Sequence, residues 1–174
     1  EGRNKRSITL DLKQPEGQGL FRNLVGKSDV ICENFRPGTL EKWGLGPTDF
    51  KDETKGLIWF RLTGYGQTGP YKSRPGLARI AHAFGGLTHL SGFPGEIPVT
   101  PGSTSLGDYI SGLFGVVGVM MALRHRDATG QGQVIDLGLF ESVFRMLDEL
   151  APRYARENFI RNPEGSGTVN ACPH

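Results

Sequence analysis

The strongest constraint on this chain is a hydrophobic period that switches back and forth within its first 63 residues. Ser7 to Leu12 sets Ile8, Leu10 and Leu12 at alternate positions, the spacing of a strand. From Gln14-Pro15-Glu16-Gly17 onward, Leu20, Phe21, Leu24 and Val25 share one face of a helix that Gly26 can stop. Asp29 to Phe35 carries the short apolar run Val30, Ile31 and Cys32, and Pro37 then introduces a short helix with Leu40 and Trp43 one turn apart. Gly44 and Gly46-Pro47 end it, and Gly56 to Thr63 is a third strand candidate. Strand, helix, strand, helix, strand predicts an α/β fold on a parallel sheet, because parallel neighbours must be joined by a crossover.

The remainder is punctuated by glycine, which fills 26 of 174 positions. That is about twice the usual share of roughly 7% and predicts many tight turns. Leu77, Ile80, Ala81, Phe84 and Leu87 follow a loop from Gly64 to Gly76 at helical spacing, and a Pro-rich loop runs from Ser91 to Thr104. Asp108 to Arg124 reads as a helix apolar all round, which predicts burial. Gly112, Gly115 and Gly118 recur along it, a costly choice unless another backbone approaches closely. The turn from Asp127 to Gly132 leads to a strand at Gln133 to Leu139, a final amphipathic helix from Glu141 to about Glu157, and a terminal loop.

Twenty Lys and Arg against 18 Asp and Glu leave a net charge of +2, which gives no broad field for nucleic acid but allows a local cationic site. Cys32 and Cys172 lack metal-ligand spacing and read as buried or incidental thiols of a reducing compartment. The longest apolar stretch, Tyr109 to Leu123, is shorter than the about 20 residues that cross a bilayer, so no membrane partner is expected. The chain opens on Glu1 and closes on His174 without start or stop features, which suggests a section of something longer.

Gly64-Tyr65-Gly66-Gln67-Thr68-Gly69 fits a dinucleotide fingerprint after a strand, but the Pro70 to Pro75 segment interrupts the helix that such a site requires. It therefore reads as a structural or substrate-lining loop. Asn34-Phe35-Arg36-Pro37-Gly38 lies where a strand passes into a helix, either an ordinary turn or a seat for a purine and its phosphates. Asp108 precedes the apolar helix, either as its cap or as a carboxylate aimed into a glycine-lined cavity, with Gly107 leaving space for an acyl group. His82, His89 and His125 have no triad partner and read as structural, and His174 gives no reading.

Together these segments resemble the family III CoA-transferases, a superfamily shared with the α-methylacyl-CoA racemases. The resemblance runs in order through Asn4-Lys5-Arg6-Ser7-Ile8, Glu33 to Gly38, Leu45-Gly46, Thr63 to Pro70, Gly107-Asp108 and Thr129 to Asp136. It implies a Rossmann-like, parallel-sheet large domain, incomplete here, with residues 1–174 as its partial CoA-binding and catalytic section. Asp108 matches the catalytic aspartate, which passes through a mixed anhydride and an aspartyl-CoA thioester. Leu10 to Lys13, Asn34, Phe35, Arg36, Lys42 and Arg74 match CoA-contacting positions, whose cations suit a pyrophosphate.

The resemblance further implies acyl-CoA and carboxylic acid substrates, no metal or redox cofactor, and an interlocked homodimer of the full-length form. It also implies a cytoplasmic location, or a mitochondrial or peroxisomal one in a eukaryote. Ser91 to Thr104 and Tyr109 are expected around the acceptor acid. Leu77-Ala78 stands where the racemases carry a His-Asp pair, and neither side chain can take a proton. That favours transfer over racemisation, with a non-catalytic fragment as the third reading.

Overall fold

A computed structural model describes residues 2–50, 54–102 and 104–167. Its first half is β1 (Val30–Glu33) and β2 (Ile58–Thr63), preceded by helix α1 (Pro15–Val25) and separated by α2 (Thr39–Lys42) and a 3-10 turn (Pro47–Phe50). Then come α3 (Ala78–Phe84), α4 (Leu87–Leu90), the long α5 (Leu106–Thr129), β3 (Val134–Gly138), α6 (Leu139–Arg145) and α7 (Leu150–Glu157). The strands pair in parallel in the order β1-β2-β3, with Cys32 opposite Phe60 and Phe60 opposite Ile135. Each parallel step uses the helical crossover that the alternating periods predict.

Side chains alternate across β2 and divide the core. On one side Trp59 joins Val25, Leu40, Leu45, Phe50 and Leu57, all buried, so α1, α2 and the 3-10 turn close that face. On the other, Leu62 meets Ala81, Leu139 and Val143 of α3 and α6. Phe60 also points there, against Gly115 of α5, where any Cβ would run into the Phe60 ring. Gly118 lies over Ile135 with room for a Cβ at ordinary contact distance, 3.4 Å, and Gly112 has open space. The close partner of Gly115 is thus a side chain of the sheet of the same chain.

Several expectations are corrected. Ser7 to Leu12 does not pair as a strand among the described residues and leads instead into a turn in which the Gln14 N–H donates to the Asp11 carbonyl. The final helix divides into α6 and α7, with Asp148 in a positive-φ conformation between them (φ 56°). The helix from Asp108 is longer and less buried than expected. It extends to Thr129, where Gly130 ends it at φ 73°, and Leu113, Val117, Met120 and Met121 on its outer side are exposed. With 24 residues and a mean hydropathy of 1.6 over its best window, α5 is by length and composition long enough to cross a bilayer, contrary to the stretch counted in the sequence. Its inner side instead covers β2 and β3. Cys32 is exposed and forms no disulfide, and the partial burial of its thiol pushes the pKa up. Cys172 and His174 lie outside the described residues.

Candidate active site

The carboxyl ends of all three strands open on one cleft of about 220 Å³. β1 delivers Asn34, Phe35, Arg36 and Pro37, β2 delivers Leu62, Thr63 and Gly64, and Leu139 follows β3. Lys72, Arg74, Gly76 and Leu77 form another wall, and Asp108 reaches in from α5. A larger cavity of about 690 Å³, lined by Trp59, Lys55 and Gln133, lies at the opposite strand ends. Open parallel sheets bind ligands at the carboxyl ends, which selects the smaller cleft.

The Asn34 to Pro37 wall is held from below by buried charge. Glu33 ends β1 with its side chain only 3% exposed; one carboxylate oxygen takes the Arg61 Nε–H at 2.5 Å and the other accepts the Phe35 N–H at 2.7 Å. Arg61 also donates from Nη1 to Glu41 of α2 at 2.7 Å. Burial works against the charge on Arg61, but its hydrogen bonds to Glu41 and Glu33 outweigh that and raise its pKa. Burial pushes Glu41 up, but the Arg61 hydrogen bond and charge together with backbone N–H bonds outweigh it and hold that carboxyl below its ordinary value. Phe35 meets Trp43 edge-on with ring centroids 5.9 Å apart.

The opposite wall depends on backbone proximity. Gly64 and Gly76 approach so closely that a methyl on either would collide with the other's Cα. The loop between them contains no helix, as its prolines predict. Its Gln67 N–H donates to both Asp136 oxygens at 2.9 Å, tying it to β3. Tyr65, Tyr71, Phe84 and Phe140 pack around it, with the Arg74 guanidinium 4.4 Å above the Tyr71 ring.

Asp108 is exposed in the first turn of α5, and Ser105 occupies the cap position, so the reading of Asp108 as the cap is corrected. A carboxylate there complements the positive end of the helix dipole. Gly107 is buried rather than open to a ligand; its missing side chain makes room for His82, whose Nε2 accepts the Gly107 N–H at 2.8 Å. Burial is the main force that lowers the His82 pKa; the Asp108 charge opposes it and Arg79 adds to it.

Of the residues expected to bind CoA, the cleft brings together Asn34, Phe35, Arg36 and Arg74 with Asp108. Leu10, Lys13 and Lys42 do not line it, and neither do the described residues of Ser91 to Thr104 or Tyr109. Lys13 and Lys42 are exposed, and Leu10 is half-buried. Lys72, Thr63, Glu33, Arg61 and His82 were not marked as site residues by the sequence. Arg61, a charge inside the apolar run Ile58 to Leu62, carried a signal of burial with a partner. No group of three or more His, Cys, Asp or Glu that would hold a metal occurs among the described residues.

The chain is 56% identical, over all its 174 residues, to the succinyl-CoA–L-malate CoA-transferase alpha subunit of Chloroflexus aurantiacus, covering 41% of that protein. It is 58% identical to the beta subunit of the same name, covering 43% of it. It thus spans about two fifths of these relatives. The fold superposes on the crystal structure of a CaiB/BaiF family protein from Brucella suis with a TM-score of 0.89 and 36% identity, over 97% of this chain and 44% of that one. The sequence model of CoA-transferase family III matches residues 1–174, and the chain belongs to that family.

Proposed function

We propose that residues 1–174 are the partial CoA-binding and catalytic section of an enzyme that moves CoA from an acyl-CoA to a carboxylic acid, with Asp108 as the nucleophile. The observation that carries this reading is the convergence of Asn34 to Pro37, Arg74 and Asp108 on one cleft. Arg36, Lys72 and Arg74 give it the cations for a phosphate-bearing thioester, and Phe35 offers a ring face. Leu10, Lys13 and Lys42 extend the nucleotide contacts outside the cleft.

An oxygen of Asp108 attacks the thioester carbonyl, the C–S bond breaks, and the electron pair leaves on the CoA thiolate. The thiolate attacks the Asp108 carbonyl of the resulting anhydride and expels the donor's carboxylate, leaving an aspartyl-CoA thioester. The acceptor carboxylate attacks that thioester, releasing the thiolate again, which takes the acceptor's carbonyl and restores Asp108. No net proton changes hands, and the thioester's energy is conserved through every step.

The two Chloroflexus relatives support succinyl-CoA as donor and a hydroxydicarboxylate such as L-malate as acceptor. Their designation as subunits supports assembly of the complete protein with a second chain of this family, and the resemblance implies that the two chains interlock as a homodimer. The test incubates the full-length protein with labelled succinyl-CoA and a panel of carboxylates. With the label on the CoA moiety, it is expected in malyl-CoA, hydroxylamine should trap an adduct on Asp108, and Asp108→Ala should abolish both. Transfer undiminished in Asp108→Ala would falsify the nucleophile.

A further inference from the structure

We propose that His82 is a positioning residue for Asp108, holding the first turn of α5 through the Gly107 amide and so fixing where the carboxylate stands. The inference rests on the reading of Asp108 as the nucleophile. His82 has no exposed surface, and its Nε2 accepts the Gly107 N–H at 2.8 Å. Gly107 is the second residue of α5, one of the four whose N–H has no partner within the helix. Without the imidazole that donor would be buried and unpaired.

The contact is direct from ring to backbone, because a Cβ at position 107 would lie 3.2 Å from Nε2. Val143 of α6 closes the same space, 3.5 Å from that position. Asp108 is the next residue, so a shift of the turn moves the carboxylate with it. Reacting groups displaced by about 1 Å can lose about 100-fold in rate.

Only a neutral ring with its proton on Nδ1 can accept at Nε2. Nδ1 is buried without a hydrogen-bond partner among the described residues. The charged groups whose fields reach the ring are Arg79 on α3 and Asp108 on α5; among the described residues neither α4 nor α6 adds another. Protonation would set a ring N–H against the Gly107 N–H and release the turn.

In the full-length protein, His82→Leu removes the acceptor and His82→Gln places an amide oxygen within reach of the Gly107 N–H without a titrating group. His82→Leu is expected to lower kcat for CoA exchange by about 10- to 100-fold with the acyl-CoA KM changed less than about twofold. His82→Gln should return kcat to within about threefold of the parent and remove the acid limb of its kcat–pH profile. Parent kcat in His82→Leu, equal losses in both variants, or an unchanged acid limb in His82→Gln would overturn the inference. If His82→Leu does not fold, the His82→Gln profile still decides. Asp108→Ala run in parallel separates the two readings, since exchange by that variant overturns the nucleophile itself and not the contact between ring and turn.

Discussion

Glu33 and Arg61, 28 residues apart, form a buried ion pair at 2.5 Å whose free carboxylate oxygen holds the Phe35 amide. The pair thus couples adjacent strands to the loop that lines the cleft. Removing one partner from such a pair leaves a buried charge uncompensated, which typically costs about 3–5 kcal/mol. Arg61→Met should lower the urea midpoint accordingly. Glu33→Leu with Arg61→Met should recover most of the stability, yet its KM for acyl-CoA should stay raised, because the Phe35 N–H has lost its acceptor.

Acid should weaken the fold through His82. Its folded-state pKa lies below the ordinary value of about 6.5, because burial, assisted by Arg79 and opposed by Asp108, disfavours the cation. The unfolded chain therefore binds the proton more readily. The contribution to stability is full above the unfolded value and declines as pH falls below it toward the folded one. Unfolding midpoints from pH 8 to pH 5 should fall over that window, and His82→Gln should flatten this component.

Gly115 faces the Phe60 ring with no room for a Cβ. Gly115→Leu should destabilise the fold by about 1–3 kcal/mol, the usual range for overpacking. Combining it with Phe60→Ala should cost less than the sum of the two single changes. Additive losses in a double-mutant cycle would show that the two positions do not share this space.

Leu77 lines the cleft with 72% of its surface exposed and has no group that can take a proton. A 2-methylacyl-CoA incubated with the full-length protein in deuterium oxide should gain no α-deuterium, by mass spectrometry, while CoA exchange proceeds. Incorporation at a rate comparable to exchange would reverse the preference between the two chemistries.

Short apolar runs located β1 and β2, the turn before Gln133 located β3, and helical spacing located α1 and the centre of α5. Ser7 to Leu12 has the alternation of a strand without a partner strand among the described residues, and periodicity records only which side is apolar, not whether a neighbour is present. The division between α6 and α7 eluded the sequence because Met146 to Glu149 keeps helical spacing through a turn. In the site, Asp108 and the Asn34 to Arg36 segment were legible as segments adjoining predicted elements. His82 was not, because its role comes from a contact with Gly107, 25 residues away, that no local pattern encodes.

The three strands end on the same cleft, so spacing along β2 is a stricter requirement than the identity of most of its side chains. Deleting one residue between Ile58 and Thr63 would exchange the two faces of the strand beyond the deletion. An ion-pair partner, an α5 contact and a cleft wall would then be misplaced together. Families descended from such a strand can drift widely in sequence, but they should almost never vary in length there.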